Sequence, residues 1–251
     1  MPTTFEDVLQ EEAEKHQYQQ EELDKEIINR KGSLITEQAV EIHDYLPVAR
    51  NPAEQDYVLH LWDAFLTLDT LGGDGRPFFI MPFHLLFMLS LQYKILRIAK
   101  THDRVMKIII SSISGRNRSI LLKSKRSVFD VALINERTMP EIFGLIEVAD
   151  QDILKIKNLV DNRNDNLAHA KGWVELEPED KIQEYLEVLK HIQEKFLEMN
   201  DIVAEDWLKE MGTGDEGEEY MQTHFLEEYL CPADMQQGKL AELDKRLNGE
   251  I

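Results

Sequence analysis

The sequence predicts an all-α protein, built as a helical bundle with additional acidic helical segments at both ends. Three observations support this fold class. Glycine and proline are sparse, at 12 and 8 of 251 residues, whereas an all-β fold needs frequent turns. Hydrophobic residues make up 43% of the chain, which is enough to build a core. Along several segments the apolar residues recur at steps of three and four, the period of a helix with one buried face.

Proline and glycine mark the helix boundaries. Asn51 and Pro52 are typical of a helix start, with asparagine as the N-cap and proline in the first turn. That helix is expected to end at Leu71, because Gly72 follows it. Further helices are predicted at about residues 83–100, 102–112, 119–135, 140–148, 152–168 and 178–199.

Two of these helices are expected to form the centre of the bundle. Segment 83–100 is apolar around most of its circumference, which is typical of a helix buried on all sides. The helix that begins at Pro178 has one apolar stripe instead, made of Ile182, Tyr185, Leu186, Leu189, Ile192 and Phe196. We interpret Trp62 as a packing residue and His84 as a core or interface histidine.

Charge is distributed unevenly along the chain. The net charge is −20, which disfavours non-specific contact with nucleic acid or an anionic membrane. Residues 94–126, called the basic stretch below, nevertheless contain ten basic residues and one acidic residue. This stretch predicts a path for an RNA backbone, with candidate contacts at Lys107, Arg116, Arg118, Lys123, Lys125 and Arg126. The alternative is that these side chains are the solvated faces of amphipathic helices.

The acidic ends suggest three parts: a helical extension at 1–50, the bundle at 51–200, and a linker with short helices at 201–251. Residues 201–251 hold 14 acidic and four basic residues. We expect these ends either to bind a regulatory protein partner or to cover the basic stretch of the same chain. This expectation depends on charge complementarity alone.

The sequence also limits compartment and cofactors. Cys231 is the one cysteine, so the chain has neither an internal disulfide nor a CxxC pair for zinc. The first residues are acidic and lack the apolar region of a secretory signal, and the longest apolar run, 78–91, is too short to span a bilayer. We expect a soluble cytoplasmic protein without membrane contact. No HExxH or P-loop pattern occurs, and no metal or cofactor is expected.

The segment 161–172 carries the chemical character of the chain. Asparagine and aspartate are crowded at the end of an otherwise good helix, where they are poor helix formers. Within this segment Arg163 is followed directly by Asn164, and His169 comes after five intervening residues. Ala168 precedes the histidine, and Gly172 follows it.

This pattern resembles the active-site motif of the HEPN superfamily of ribonucleases, which has arginine, a polar residue after it, and histidine four to six residues further on. The resemblance covers about residues 51–200 in helix order and about ten residues in motif. It implies a metal-independent endoribonuclease, acting as a toxin or antiviral defence effector, with Arg163, Asn164 and His169 as catalytic residues. Lys171 stands where members controlled by nucleotidyltransferase antitoxins have tyrosine, so that form of control is not expected.

The residue types suit this chemistry. RNA cleavage by the 2′-hydroxyl needs a proton acceptor, a proton donor and positive charge at the phosphate. Histidine exchanges protons near neutral pH, and arginine binds phosphate oxygens through a fixed fork. On a straight helix Arg163 and His169 would lie about 120° apart around the axis and about 9 Å apart along it. Either the helix therefore ends between these two residues, or two chains each contribute to one site. The resemblance implies the second arrangement, a homodimer with a composite site of two Arg163 and two His169.

Two other functions remain open from the sequence. The chain could be a non-catalytic HEPN-fold interaction or adaptor protein in a larger assembly, with its acidic surface serving a basic partner. It could also be a nucleotide-binding helical domain that holds phosphate with the same Arg163 and His169. Substitution of His169 by alanine separates the enzyme from the adaptor, because only the enzyme loses activity.

Overall fold

A computed structural model of the chain describes most of the bundle. The described residues are 38–47, 52–71, 78–101, 127–165, 178–210, 230–236, 238, 239, 241 and 245. Every regular element within these ranges is a helix, which confirms the all-α prediction. None of the described helices is long and apolar enough to cross a membrane.

Helix α1 spans Pro52–Leu71, with the proline at its first turn and Glu54 close behind it. Both predicted ends are confirmed for the described residues, and the predicted N-cap Asn51 lies outside them. The buried face of α1 carries Trp62 and Phe65, whose rings stack with centroids 5.2 Å apart. This stacked pair forms one wall of the core, as expected for Trp62.

Helix α2, Ile80–Thr101, is the central element of the bundle. Every side chain from residue 86 to residue 99 is buried. Helix α2 contacts α1, the turn Val128–Val131, the helix Pro178–Glu210 and the 3-10 helices Val40–Tyr45 and Met139–Ile146. The predicted central position is confirmed, and α2 begins three residues earlier than predicted. His84 is fully buried on this helix, as the sequence predicted.

The segment between residues 127 and 149 differs from its prediction. A helix over 119–135 is wrong for the described part, because only the single turn α3, Val128–Val131, is helical there. Ser127 caps that turn, and the Asn135 side chain then accepts a hydrogen bond from the Arg137 backbone at 2.9 Å. Asparagine that bonds locally in this way favours a turn over a continued helix. A 3-10 helix follows at Met139–Ile146.

Helix α4, Asp150–Arg163, and helix α5, Pro178–Glu210, complete the bundle. The left-handed backbone of Glu147, φ 62°, ends the preceding 3-10 helix and so produces the break that was predicted near residue 149. All six residues of the predicted α5 stripe are buried, and α5 packs against α2 and α4. The helix also continues about ten residues beyond its predicted end.

Two short terminal elements pack on this core. One is the 3-10 helix Val40–Tyr45, and the other is the single turn α6, Pro232–Met235. They contact one another, and both contact α5. The described parts of both acidic ends are therefore built onto the bundle.

Candidate functional site

Arg163 is the last residue of helix α4, and Asn164 and Asp165 continue the chain as a π-helical turn. The backbone N–H of Asn164 is shared between the carbonyls of Asp161 and Val160, a bifurcated hydrogen bond that is common at the end of a helix. The structure describes residues up to 165 and again from 178, so His169 lies outside the described residues. That Arg163 and His169 meet at one site stays a prediction.

The Arg163 side chain turns inward, into a polar site between helices. Its guanidinium forms an ion pair with Glu136, from the turn before the second 3-10 helix. Only 13% of the Arg163 side chain is exposed, and its buried Nε has no hydrogen-bond partner among the described residues. Because one ion pair uses only part of the five-donor fork, hydrogen-bonding capacity remains for another acceptor.

A buried histidine and tyrosine lie behind this arginine. Nδ1 of His84 on α2 is 2.9 Å from the hydroxyl of Tyr185 on α5. Burial, and then the positive charge of Arg163, lower the pKa of His84 to about 3. Burial raises the pKa of Tyr185 above its usual value. Both groups are thus neutral near pH 7, and His84 does not supply the proton donor that cleavage needs.

A cleft of about 510 Å³ opens beside Arg163. One part of its wall is apolar and the other is polar or charged; the lining residues are Ala132, Leu133, Ile134, Val160, Asn135, Glu136, Arg137, Asp161 and Asn164. Its size lies within the usual range for small-molecule sites, about 300–1,000 Å³. Of the predicted catalytic residues, Asn164 lines the cleft directly, and Arg163 adjoins it through Glu136.

Arg137 is a cleft residue that the sequence reasoning missed. It pairs with Asp161 at 3.3 Å across the cleft, and 68% of its side chain is exposed. No motif marks this arginine, because the turn that holds it is irregular. Only its position two residues after the turn-forming Asn135 could have indicated it.

The basic stretch needs one correction. Lys94 and Arg97, its first two members, are 4% and 2% exposed and therefore cannot form part of an RNA track on the surface. They lie on the central helix α2, where the Lys94 amine donates to the Gln193 carbonyl oxygen of α5 at 2.5 Å. The six residues predicted as RNA contacts lie outside the described residues; they are Lys107, Arg116, Arg118, Lys123, Lys125 and Arg126.

Arg97 belongs to a buried polar cluster around Asp234 of α6. The Asp234 carboxylate accepts hydrogen bonds from Arg97 at 2.6 Å, Gln193 at 2.7 Å and Asn200 at 3.0 Å. Burial opposes ionisation here, but the charges of Arg97 and Lys94 outweigh it and hold the pKa of Asp234 below its usual value. The carboxylate is ionised and fully enclosed.

Cys231 lies beside this cluster and is 1% exposed. Burial, followed by the negative charge of Asp234, raises the pKa of the thiol to about 12. A thiol at this pKa is not a nucleophile near neutral pH, so the cluster is a structural feature. Among the described residues, no group of three or more metal-ligating side chains is arranged to hold a metal ion.

The comparisons with known proteins give no family for this chain, so its fold is the basis for its class. No family model, no curated protein and no solved structure matches the sequence. Fold and site together define a helical protein with an arginine-flanked cleft at the end of α4.

Proposed function

We propose that this protein is a metal-independent endoribonuclease of HEPN type, acting as a toxin or antiviral defence effector. The observation that supports it best is the location of Arg163 and Asn164. They end a helix of an all-helical bundle, beside an open cleft and directly before the segment that contains His169. Arginine at the edge of a cleft suits phosphate binding, because its planar fork matches two phosphate oxygens.

The proposed reaction is transesterification within RNA. A basic group accepts the proton of the 2′-hydroxyl, whose oxygen then attacks the adjacent phosphorus. The bond from phosphorus to the 5′-oxygen breaks, and an acidic group donates a proton to that oxygen. The products are a 2′,3′-cyclic phosphate and a 5′-hydroxyl. We assign the proton transfers to His169. Arg163 would stabilise the negative charge of the phosphate, and Asn164 would orient it.

The ion pair between Arg163 and Glu136 imposes one condition on this proposal. The carboxylate occupies the fork that would hold phosphate, so substrate has to displace Glu136 or approach the donors that Glu136 does not use. Glu136 is 32% exposed as a side chain, so water can receive it when it leaves.

We further propose that the active form is a homodimer. A two-fold dimer would bring two copies of Arg163 and two of His169 to one composite site. In such a site, Arg163 and His169 of the same chain need not lie next to each other. Mixing the Arg163→Ala and His169→Ala chains tests this, because mixed dimers keep one intact arginine and one intact histidine. Recovery of cleavage in the mixture supports a shared site, and a strictly monomeric active species contradicts it.

The same ion pair favours a second candidate, a non-catalytic interaction protein. If Glu136 holds Arg163 permanently, the pair stabilises the end of α4 and the bundle serves as an adaptor for a basic partner. Such a protein would tolerate His169→Ala with no change in assembly. The nucleotide-binding alternative predicts higher melting temperature with nucleotide and no RNA products.

The deciding experiment is cleavage of total cellular RNA by the purified chain in EDTA. Wild type is compared with His169→Ala, with Arg163→Ala, and with Lys157→Ala as a control on the same helix, where Lys157 pairs with Glu141 away from the cleft. We expect cyclic phosphate ends from wild type and the control only. Equal products from all four chains would indicate a contaminating nuclease, and no products from any chain would favour the adaptor.

A further inference from the structure

We infer that the cleft beside Arg163 is a subsite for one ribonucleotide unit of the RNA, with its phosphate on Arg137 and an amino-bearing base against Asp161. The assignment of this ligand to RNA rests on the proposed function. The residues of this subsite belong to the turn at 132–137 and to the end of α4 at 160–164.

The walls of the cleft match the two kinds of surface that a nucleotide presents. Leu133 is 53% exposed and lines the cleft, so its side chain offers the apolar surface for the flat face of a base. Asn164 and Asp161 line the same cleft and supply amide and carboxylate groups for the hydrogen-bonding edge.

The charges of the cleft suit a phosphate at the rim. Arg137 and Asp161 lie 3.3 Å apart, with 68% and 40% of their side chains exposed. An ion pair this exposed is weak and screened, so the Arg137 guanidinium can exchange its partner for a phosphate at little cost. The two carboxylates that line the cleft, Glu136 and Asp161, are each paired with an arginine, Arg163 beside the cleft and Arg137 within it. This surface therefore avoids the repulsion that a chain of net charge −20 otherwise presents to RNA.

This exchange determines which bases fit. When phosphate takes Arg137, the Asp161 carboxylate loses its cation and needs a hydrogen-bond donor. Guanine, adenine and cytosine carry an exocyclic amino group that can donate to a carboxylate. Uracil has no amino group, and its N3–H donor lies between two carbonyl oxygens that repel a carboxylate. We therefore expect the site to discriminate against uridine.

The test is isothermal titration of the full chain in EDTA with GMP, AMP, CMP, UMP and inorganic phosphate. We expect the three amino-bearing nucleotides to bind at least tenfold more tightly than UMP or phosphate alone. Arg137→Ala should weaken GMP binding at least fivefold, and Leu133→Trp, which fills the cleft from an exposed position, should abolish it. Lys157→Ala should bind as wild type.

Several results would overturn the inference. These are no binding of any nucleotide at millimolar concentration, equal affinity for GMP and UMP, or unchanged affinity in both cleft variants with unchanged circular dichroism. A 2′-O-methyl RNA hexamer, which cannot be cleaved, identifies the source of the ligand. Displacement of GMP by the hexamer supports an RNA subsite, and GMP binding that the hexamer does not displace assigns the cleft to a free nucleotide and overturns the RNA assignment.

Cleavage assays separate this inference from the proposed function. If wild type and Arg137→Ala cleave RNA at the same rate with the same base preference, the subsite is wrong and the ribonuclease proposal stands. If nucleotides bind in the cleft and RNA displaces them, but no chain cleaves RNA, the ribonuclease proposal is wrong and the binding site stands.

Discussion

The carboxylate of Asp234 lies 2.6 Å from the guanidinium of Arg97, and side-chain exposures of 0% and 3% leave this pair without solvent. It joins the C-terminal turn α6 to Arg97 of the central helix α2. The same carboxylate accepts the backbone N–H of Cys231 at 2.8 Å and so caps the turn α6. One side chain thus orders the turn and anchors it to the bundle.

We expect Asp234→Ala to destabilise the protein strongly. The substitution removes the anion and leaves the buried Arg97 and Lys94 uncompensated, which for a buried pair costs about 3–5 kcal/mol. Urea denaturation at pH 7 measures the change, and Glu198→Ala, at an exposed residue of α5, is the control. A loss below about 1 kcal/mol for Asp234→Ala would show that α6 is not anchored by this pair.

The pH dependence of stability should reveal two buried histidines. Burial lowers the pKa of His43 to about 4, and burial with Arg163 lowers that of His84 to about 3. Below pH 6.5 the unfolded chain binds protons that the folded chain excludes, so the stabilising contribution present above pH 6.5 is lost as the pH falls. We expect roughly 2 kcal/mol of loss per histidine by pH 4.5.

Denaturation at pH 7 and at pH 4.5 measures this loss. His43→Phe should reduce the difference between the two conditions, because phenylalanine can occupy the aromatic site against Trp62, where the ring centroids are 4.7 Å apart. His60→Gln, at an exposed position of α1, should leave the difference unchanged. Equal pH dependence in both variants would contradict the role of His43.

Core packing gives a third prediction, at Phe83. Its ring is fully buried between Phe65 of α1 and Tyr185 of α5, at centroid distances of 5.7 Å from each. Phe83→Ala should cost about 3–5 kcal/mol, because it removes contacts that join three helices and leaves a cavity. Leu154→Ala, at a side chain that is 57% exposed, should cost far less in the same denaturation experiment.

The fourth prediction concerns Glu136, which competes with phosphate for Arg163 if the ribonuclease proposal holds. Glu136→Gln removes the competing charge while keeping the size of the side chain. We expect tighter RNA binding with a steeper dependence on salt, together with a stability loss of about 1–3 kcal/mol from the unpaired arginine. Fluorescence anisotropy with labelled RNA at several salt concentrations measures the binding.

Glu141→Gln is the matched control for that experiment, because it removes a comparable ion pair with Lys157 away from the cleft. Weaker RNA binding in Glu136→Gln than in Glu141→Gln would mean that Glu136 orients Arg163 for phosphate instead of blocking it.

Local chemistry explains which elements could be read from the sequence. Pro52 and Pro178 each start a helix, since proline lacks the N–H that a first turn leaves unpaired, and the six-residue stripe of α5 is buried because its spacing matches the helical period. The segment after Ser127 was predicted less well. There the Asn135 side chain accepts a hydrogen bond from the Arg137 backbone N–H and so competes with helix formation, and such local competition leaves no periodic signal.

The sequence by itself determined the all-helical class of the described residues, the central helix α2 and the buried stripe of α5, because period and local propensity act over a few residues. The tertiary structure alone decided the partners of the charged groups. Arg163 meets Glu136 from 27 residues away, and Arg97 meets Asp234 from 137 residues away. From charge composition alone, Arg97 was grouped with the lysines and arginines expected at the surface. Packing buries it instead, next to Asp234, because an ion pair forms wherever the fold brings two opposite charges together.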